Sequence, residues 1–479
     1  MAQKGRVFKR GAELQLEITD LAFGGKGIAK VPIEDGLFTV FVQNTIPGQK
    51  VRARVTESKK RYAECSLLEV LEHSDLEVDI PYQPIPGAPY ASLPIATQHA
   101  FKKKNALDLF ERIGKIPSPE SLMDEFIPSP LTWYYRNKME YSFCHIVYDL
   151  NDNLTKDIFG FGFKHRGMWW AVENLDKDSG LFDKEIEDRL ISIRHYCENT
   201  GLRAWHPPKQ YGFFRYMVVR KSQHDNKFLF GFVTSSDGLD EFNMDAFRDL
   251  LLDYFGDRVA GILHVTYDET GDHVKVLEGN TRLLYGESKI KENLLGLEFE
   301  VSLQSFFQPN PKAAEKLYQK TIDYTNEHTP ENAVVLDLFC GTGTITQLLA
   351  RHNSRKVIGV DIVAEAIEDA RINAQRNGIE NVTFYSADAG KFLEQYPEYQ
   401  GQLHTVVMDP PRAGLAPKTL DLVIGLGAKC IVYVSCNPAT QARDAEILRN
   451  SGYDLVKFSL VDQFPHTSHL ECVMLFEKQ

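Results

Sequence analysis

The sequence has no long run of apolar residues. Hydrophobic residues make up 43% of its 479 positions and charged residues 25%, as in an ordinary soluble globular protein. The longest apolar runs are short, such as residues 430–434, and none approaches the roughly 20 residues of a membrane-spanning helix. Residues 1–6 lack the apolar region of a signal peptide. We therefore expect no membrane partner, a cytoplasmic location and two or three domains, because one core rarely exceeds about 250–300 residues.

Paired cysteines are also absent. The chain has seven cysteines, an odd number, and no two of them form a C-x-x-C pair. They are Cys65, Cys144, Cys197, Cys340, Cys430, Cys436 and Cys472. This scatter argues against a disulfide framework and against a cysteine-rich metal site.

A positive net charge is missing as well. The formal net charge is −12, whereas nucleic-acid-binding proteins usually show a basic face. The charge is unevenly distributed: residues 1–70 contain 12 Lys and Arg against 8 Asp and Glu, a net +4, and the acidic excess lies further along the chain. The total charge therefore leaves room for a nucleic-acid partner at the N-terminal end.

Residues 1–72 are predicted to form an all-β domain. Polar and apolar residues alternate over 13–18, and 38–42 is rich in β-branched and aromatic residues, as in strands separated by Gly and Pro turns. Short strands with such turns indicate a small OB-like barrel. Arg52 and Arg54 fall on one face of a further strand, which favours an RNA-binding role over a purely stabilising one.

Residues 73–300 are predicted to be a connector followed by a central α+β domain that binds RNA. The connector is Pro-rich and leads into a helical pattern over 97–113, where Lys102, Lys103 and Lys104 follow one another. A run of this kind is usually a solvated helix face, from which it could also reach phosphate. The remainder shows the pattern of antiparallel strands.

Residues 301–479 have a different pattern, in which helical stretches alternate with short apolar strands. The predicted strands are 333–338, 356–360, 382–385, 405–408 and 430–434. This order implies an α/β fold with a parallel, doubly wound sheet and with ligands at the carboxyl ends of its strands.

A glycine turn follows the first of these strands. Gly341 and Gly343 let the backbone approach a ligand closely, but Thr346 replaces the third glycine of a dinucleotide fingerprint. Asp361 ends the second strand, where a carboxylate can bind both ribose hydroxyls of an adenosine ligand. Asp388 follows the third strand and could meet the adenine amino group. The pattern resembles that of the class I S-adenosylmethionine methyltransferases.

Cys436 is the candidate nucleophile. It follows the fifth strand in the segment 434–438, Val-Ser-Cys-Asn-Pro, and a stiff Asp-Pro-Pro-Arg segment at 409–412 follows the fourth. Cysteine is the strongest nucleophile among side chains at neutral pH. A cysteine nucleophile suits the methylation of a pyrimidine base such as uracil. Carbon 5 of uracil is too weak a nucleophile to take a methyl group from a sulfonium. Addition of a thiolate at carbon 6 converts the base to an enolate, whose carbon 5 is nucleophilic enough to accept the methyl group.

Such a mechanism needs a base that removes the proton from carbon 5. Glu471, next to the last predicted strand at 472–476, can serve if its pKa is tuned upward. His466 and His469 lie just before it and could act instead.

Together these motifs resemble the RNA 5-methyluridine methyltransferase family, and in particular its 23S rRNA branch, which carries an N-terminal RNA-binding TRAM domain. The resemblance covers nearly the whole chain and implies S-adenosylmethionine as cofactor and RNA as partner. The segment 305–310, Ser-Phe-Phe-Gln-Pro-Asn, is similar to the family's S-F-F-Q-x-N. The Tyr-Arg-Asn-Lys segment at 135–138 resembles a family segment of the central domain, which implies an RNA contact.

The same resemblance implies a role for each site residue in a methyltransferase domain at 301–479. Cys436 matches the nucleophile of S-C-N-P, and Glu471 matches the proton acceptor. Together with Gly341 of the turn, the residues implied to bind the cofactor are Gln308, Phe339, Asp361, Asp388 and Asp409.

The sequence departs from the family in one respect. Many members bind a [4Fe–4S] cluster through a C-x5-C-G-G-C segment and a later cysteine. Here the corresponding stretch, 84–90, has no cysteine, and none occurs between Cys144 and Cys197. Because such a cluster requires four thiolates, we expect no iron–sulfur cluster and no metal.

Three alternatives to a 23S rRNA uridine remain open. One is the same chemistry on the T-loop uridine of tRNA. Another is 5-methylcytosine formation in RNA, although enzymes of that class usually carry a T-C or P-C motif rather than S-C-N-P. The third, from another class, is a non-catalytic rRNA-binding or assembly protein. No obligate protein partner is predicted, and an enzyme would need its target base unstacked.

Overall fold

The computed structural model describes residues 7–34, 36–150, 152, 154–271, 278–351 and 354–479. Residues 1–6, where we expect no signal-like region, lie outside this set. The chain divides into two compact units. Unit A comprises Met1–Pro81, Gly87–Ser129 and Thr405–Gln479, and unit B comprises Tyr82–Pro86 and Pro130–His404. The division into domains at 72 and 300 stays a prediction.

The N-terminal part of unit A is a six-stranded sheet, as the all-β prediction requires. Its strands are β1 (Glu13–Glu17), β2 (Asp20–Leu21), β3 (Gly27–Ile33), β4 (Gly36–Val42), β5 (Lys50–Ser58) and β6 (Tyr62–Glu72), in the order β1-β5-β6-β4-β3-β2. Strand β5 alternates between buried and exposed positions and leaves Arg52 and Arg54 exposed. Both arginines donate to Glu13, and Arg52 also donates to Glu69, so carboxylates interleave the predicted basic face.

Unit A continues with helix α1 (Ile95–Arg112), close to its predicted span, and strand β7 (Met123–Ile127). The expectation of a solvated lysine run on α1 is wrong for Lys102, which is 3% exposed and pairs with Asp462. Lys103 pairs with Glu120 and Lys104 with Asp20. Successive residues of a helix point about 100° apart, so three consecutive lysines cannot share one face.

The first elements of unit B are β8 (Lys138–Asp149), β9 (Leu154–Lys164), β10 (Val172–Asn174), α2 (Lys184–Asn199), β11 (Phe214–Lys221), β12 (Phe228–Thr234), α3 (Met244–Phe255), β13 (Val259–Thr266), β14 (Thr281–Gly286), β15 (Lys289–Leu294) and β16 (Leu297–Ser302). Strands β8 to β14 form a seven-stranded sheet in the order β10-β9-β8-β11-β12-β13-β14. Its pairs are mainly antiparallel, as predicted, but β12 and β13 run parallel. A two-stranded sheet, β15-β16, follows.

The rest of unit B alternates helix and strand. Its elements are α4 (Pro311–His328), β17 (Val334–Leu338), α5 (Thr344–Ala350), β18 (Lys356–Asp361), α6 (Ala364–Arg376), β19 (Val382–Ser386) and α7 (Phe392–Gln395). Strands β17, β18 and β19 pair in parallel. Their carboxyl ends therefore meet at one edge, which is where Phe339, Asp361 and Asp388 follow in the chain.

Unit A ends with a second α/β segment. Its elements are β20 (Leu403–Met408), α8 (Pro417–Gly425), β21 (Cys430–Ser435), α9 (Pro438–Asn450), β22 (Tyr453–Val461) and β23 (Glu471–Lys478). Strand β20 pairs in parallel with β21. Strand β23 lies between β21 and β22 and is antiparallel to both. Strand β22 also pairs in parallel with β7. The predicted α/β class of this region is confirmed. Within the described ranges, no helix is both long and apolar enough to cross a membrane.

Candidate active site

The glycine turn after β17 is shaped by three left-handed residues. Phe339, Gly341 and Gly343 have φ values of 64°, 53° and 77°, a region that favours glycine. A Cβ built on Gly343 would lie 2.8 Å from the Phe384 ring, whereas one on Gly341 would meet no atom within 4 Å. Gly343 therefore serves packing, and the backbone at Gly341 faces open space that a ligand could occupy.

Asp361, at the end of β18, is held by two backbone groups. Its carboxylate accepts from the Gly341 N–H and from the Val363 N–H, each at 2.9 Å. Each oxygen keeps a second lone pair, which leaves it able to accept a ribose hydroxyl. Ile362 and Val363, directly after it, are 68% and 48% exposed. A carboxylate beside an uncovered apolar surface suits an adenosine group.

Asp388 and Gln308 belong to the same unit. Asp388 is exposed after β19, and its Oδ1 accepts from the Gly390 N–H at 2.7 Å, which leaves its other oxygen for a ligand. Gln308 is buried between β16 and α4. Asn310 caps α4 by accepting from the Ala313 N–H at 3.2 Å and so fixes the end of the 305–310 segment.

Two buried side chains of the central domain hold that segment. The amide of Asn137 donates to the Gln308 carbonyl at 3.0 Å. Arg220 donates to the Leu303 carbonyl at 2.9 Å and also to the Ser305 carbonyl. Because Asn137 is only 3% exposed, the interpretation of Tyr-Arg-Asn-Lys as an RNA contact is wrong for this residue. Its side chain is occupied in shaping the backbone around Gln308.

Cys436 lies in unit A directly after β21, and it is the only one of the seven cysteines that is not buried. The loop around it is tightly tied. Ser435 Oγ accepts from the Asn437 N–H at 3.1 Å, and the Asn437 amide donates to the Arg412 carbonyl at 2.9 Å. Asn437 also caps α9, where Pro438 is the first residue. The Ser-Cys-Asn-Pro and Asp-Pro-Pro-Arg segments are thus joined through one asparagine.

Three ionisable groups of unit A act on the Cys436 thiol. Burial raises its pKa to about 11, Glu471 and Asp409 add to that rise, and the Arg412 guanidinium lowers it by charge and by a hydrogen bond. Burial also raises the pKa of Glu471 to about 8 and that of Asp409 to about 7. The arrangement therefore brings together a half-buried thiol, the buried Glu471, the half-buried Asp409 and the exposed cation Arg412.

Arg412 is the residue of this cluster to which the sequence interpretation assigned no role. The only sequence feature that pointed to Arg412 is its place in the Asp-Pro-Pro-Arg segment, and the prolines of that segment indicate a stiff loop rather than a role for the arginine. The histidines weighed as alternative bases are placed differently. His466 is buried with its ring 3.1 Å from the Gln98 amide, and His469 is exposed against Phe464. Neither acts on the thiol as Glu471 does.

The chain is similar to known RNA methyltransferases. A model of the tRNA (uracil-5-)-methyltransferase family matches residues 284–479, and a model of the TRAM domain matches residues 7–68. An uncharacterized RNA methyltransferase of Clostridium tetani is 34% identical over 484 residues, which is 98% of each chain. Another, from Caldanaerobacter subterraneus, is 34% identical over 98% of this chain and 99% of its own.

One solved structure is similar over almost the whole length. It is the Pyrococcus abyssi tRNA (uracil-54, C5)-methyltransferase in complex with S-adenosyl-L-homocysteine. The TM-score is 0.69 at 26% identity, and the match covers 97% of this chain and 100% of that one.

The Asn137 contact can be tested by Asn137→Ala, which removes the amide that donates to the Gln308 carbonyl, at a cost of roughly 1–3 kcal/mol. We expect the affinity for S-adenosylmethionine to fall about tenfold, as measured by calorimetry, with RNA affinity in filter binding unchanged. Asn199→Ala, at the exposed end of α2, is the matched control. A loss of RNA affinity with intact cofactor binding would restore the RNA-contact interpretation.

The electrostatic coupling at Cys436 predicts opposite effects for two neighbours. Glu471→Gln removes a negative charge and lowers the thiol pKa, whereas Arg412→Met removes a positive charge and raises it. Each pKa unit changes the thiolate fraction about tenfold below the midpoint. At pH 8.5–9.5 we expect iodoacetamide to modify Cys436 faster in the first variant and more slowly in the second, as followed by peptide mass spectrometry. Equal rates in both variants and the parent would contradict the coupling.

Proposed function

Because the chain belongs to the family of S-adenosylmethionine-dependent RNA (uracil-5-)-methyltransferases, we propose that it methylates carbon 5 of a uridine in 23S rRNA through a covalent adduct with Cys436. One observation carries the proposal of a covalent mechanism. The single cysteine that is not buried follows Ser435, which pairs across β21 and β23 with Cys472, the residue after Glu471, and burial raises the pKa of the Glu471 carboxyl group to about 8. This register brings the proposed nucleophile and the proposed base to the same end of neighbouring strands.

The proposed reaction has two covalent stages. The Cys436 thiolate adds to carbon 6, which forms a C–S bond and moves the ring electrons into an enolate with density on carbon 5. Carbon 5 takes the methyl group, which S-adenosylmethionine supplies as an activated sulfonium. Glu471 then removes the proton from carbon 5, the C5–C6 double bond re-forms, and the C–S bond to Cys436 breaks. The net products are the methylated base, S-adenosylhomocysteine as the leaving group, a regenerated Cys436 thiolate and one proton, which leaves on Glu471.

We assign the cofactor to the residues of unit B described above: Gln308, Phe339, Gly341, Asp361 and Asp388. The open space at Gly341 and the exposed Ile362 beside Asp361 support this assignment. Asp409 is assigned to the cofactor through the family resemblance. Its rise in pKa with burial and its effect on Glu471 also link it to the nucleophile. No metal takes part in the proposed mechanism.

A uridine of tRNA is the second candidate substrate. The similarity to the Pyrococcus abyssi enzyme, which acts on uracil-54 of tRNA, favours it. The TRAM domain does not separate the two candidates, because that enzyme aligns with 97% of this chain. Either RNA would place the reaction in the cytoplasm, and in either case the base must leave its stack to reach the thiol.

The covalent mechanism predicts different phenotypes for its two residues. Cys436→Ala should abolish methyl transfer and give no protein–RNA adduct. Glu471→Gln should form the adduct but release product at least about 100-fold more slowly, the usual contribution of a general base. Denaturing gels with radiolabelled RNA measure both, and Cys65→Ala, in the N-terminal sheet, serves as a control. Methylation by Cys436→Ala would exclude this nucleophile.

The substrate can be identified by mapping 5-methyluridine by mass spectrometry in rRNA and tRNA from cells with and without the gene. We expect one or more uridines of 23S rRNA to lose the modification in the absence of the gene. If 5-methyluridine were lost only from the tRNA T-loop, tRNA would be the substrate. Loss of 5-methylcytosine, or no change in either RNA, would reject uridine methylation.

A further inference from the structure

The base Glu471 is the first residue after a nine-residue connection, 462–470, which we call the base loop. In the β22–β23 hairpin Val461 pairs with Glu471, so the loop closes directly onto the base. The Asp462 N–H donates to the Ile127 carbonyl of β7 at 2.9 Å. The base loop is therefore joined directly to the strand end that carries the Glu471 carboxyl group.

An ion pair buried under α1 holds the beginning of the base loop. The Lys102 ammonium donates to Asp462 Oδ1 at 2.6 Å and to the Phe464 carbonyl at 2.9 Å. His99 lies 2.9 Å from the other oxygen of Asp462. The side chains of Lys102 and Asp462 are 1% and 0% exposed. Taking both charges out of water is costly, and apolar residues of similar volume often stabilise such a position as well or better.

A second set of contacts holds the middle of the base loop. Gln98, also on α1, accepts from the His466 N–H at 2.8 Å, while its amide donates to the carbonyls of Tyr90 and Leu93. The Tyr90 N–H in turn donates to the His466 carbonyl at 2.9 Å. His466 has a left-handed φ of 64°, and these hydrogen bonds hold the backbone in that conformation.

The N-terminal sheet touches the same loop. A Cβ on Gly25, in the turn before β3, would lie 3.1 Å from Ser468 Oγ. A small cleft beside this contact is lined by Lys102, Ser468 and Leu470 and by Pro438, two residues after the nucleophile. Segments far away in sequence thus surround the loops that carry both Cys436 and Glu471.

We propose that Lys102, Asp462 and Gln98 are positioning residues that hold Glu471 for removal of the carbon 5 proton. The inference rests on the proposed function, since it needs Cys436 as nucleophile and Glu471 as base. It gives α1 a part in one chemical step, the resolution of the covalent adduct. The competing explanation is that the ion pair only stabilises the fold, in which case its loss would affect every step alike.

The test uses Lys102→Met in the full chain. The probe is total RNA from cells lacking the gene, with S-adenosylmethionine radiolabelled on its methyl group. Under single-turnover conditions we measure the ratio of methyl label bound to protein on a denaturing gel to label in free RNA. Because an angstrom of misplacement can cost about 100-fold, we expect the ratio to rise tenfold or more, toward that of Glu471→Gln. Adding Lys102→Met to Glu471→Gln should not raise the ratio further.

Two further variants separate an effect on the position of Glu471 from an effect on the stability of the fold. Phe110→Leu alters a buried residue of the same helix that packs on Phe458, and it should lower the melting temperature without accumulating adduct. The double variant Lys102→Met/Asp462→Leu removes both charges and leaves neither unpaired. It should recover thermal stability relative to Lys102→Met and still accumulate adduct, and it keeps the test informative if Lys102→Met does not fold.

The outcomes distinguish the inference from the function on which it rests. If Glu471→Gln itself accumulates no adduct, the proposed function fails. If Glu471→Gln accumulates adduct while Lys102→Met and the double variant keep the parent's ratio, or match Phe110→Leu, the positioning role is overturned.

Discussion

The chemistry proposed at Cys436 depends on the burial of the carboxyl groups beside it, above all of Glu471, which is 3% exposed. Burial raises the pKa of Glu471, of Asp409 and of the thiol itself. A carboxyl group with a pKa near neutrality is a far better proton acceptor than a solvated one, because its basicity matches the working pH. The same burial raises the pKa of the Cys436 thiol and so disfavours the thiolate, the nucleophilic form of a cysteine. Among the described residues, Arg412 has the opposite effect, because its positive charge lowers the pKa of the thiol.

A catalytic site of this kind loses activity when its side chains are displaced by a small distance. The residues packed around it include buried polar side chains that hold the loops in place. Buried polar groups hold the functional loops where apolar groups would otherwise fill the space. In unit A, Lys102 and Asp462 hold the base loop. In unit B, Asn137 and Arg220 hold the backbone around Gln308. Buried polar contacts of this kind add little net stability compared with apolar packing, but they are directional, so they specify one loop conformation.

The functions of the N-terminal and central regions are accordingly mixed. Both were interpreted from sequence as RNA-binding elements, and their exposed residues remain available for that role. Some of their buried residues, however, hold the segments to which we assign the base and a cofactor residue, as Lys102 holds Asp462 and Asn137 holds the Gln308 carbonyl. This division explains why the RNA interpretation failed at Lys102 and Asn137 in particular: each is a polar residue in a promising motif, and each is turned inward.

The sequence by itself determined six of the seven strands of residues 301–479, all but β22, together with the glycine turn and the identity of Cys436 and Glu471 as candidates. Apolar runs bounded by Gly, Pro and Asp are local signals, and the chemistry of uracil methylation demands a thiol and a base. Only the tertiary structure decided which polar residues are buried. One residue in a run of three lysines turns inward because helix geometry separates neighbours by about 100°, and its partner Asp462 is 360 positions away in the chain. The coupling of Arg412 to the thiol and the hydrogen bond from Asn137 to Gln308 were equally invisible, because no short-range pattern records a contact between distant segments.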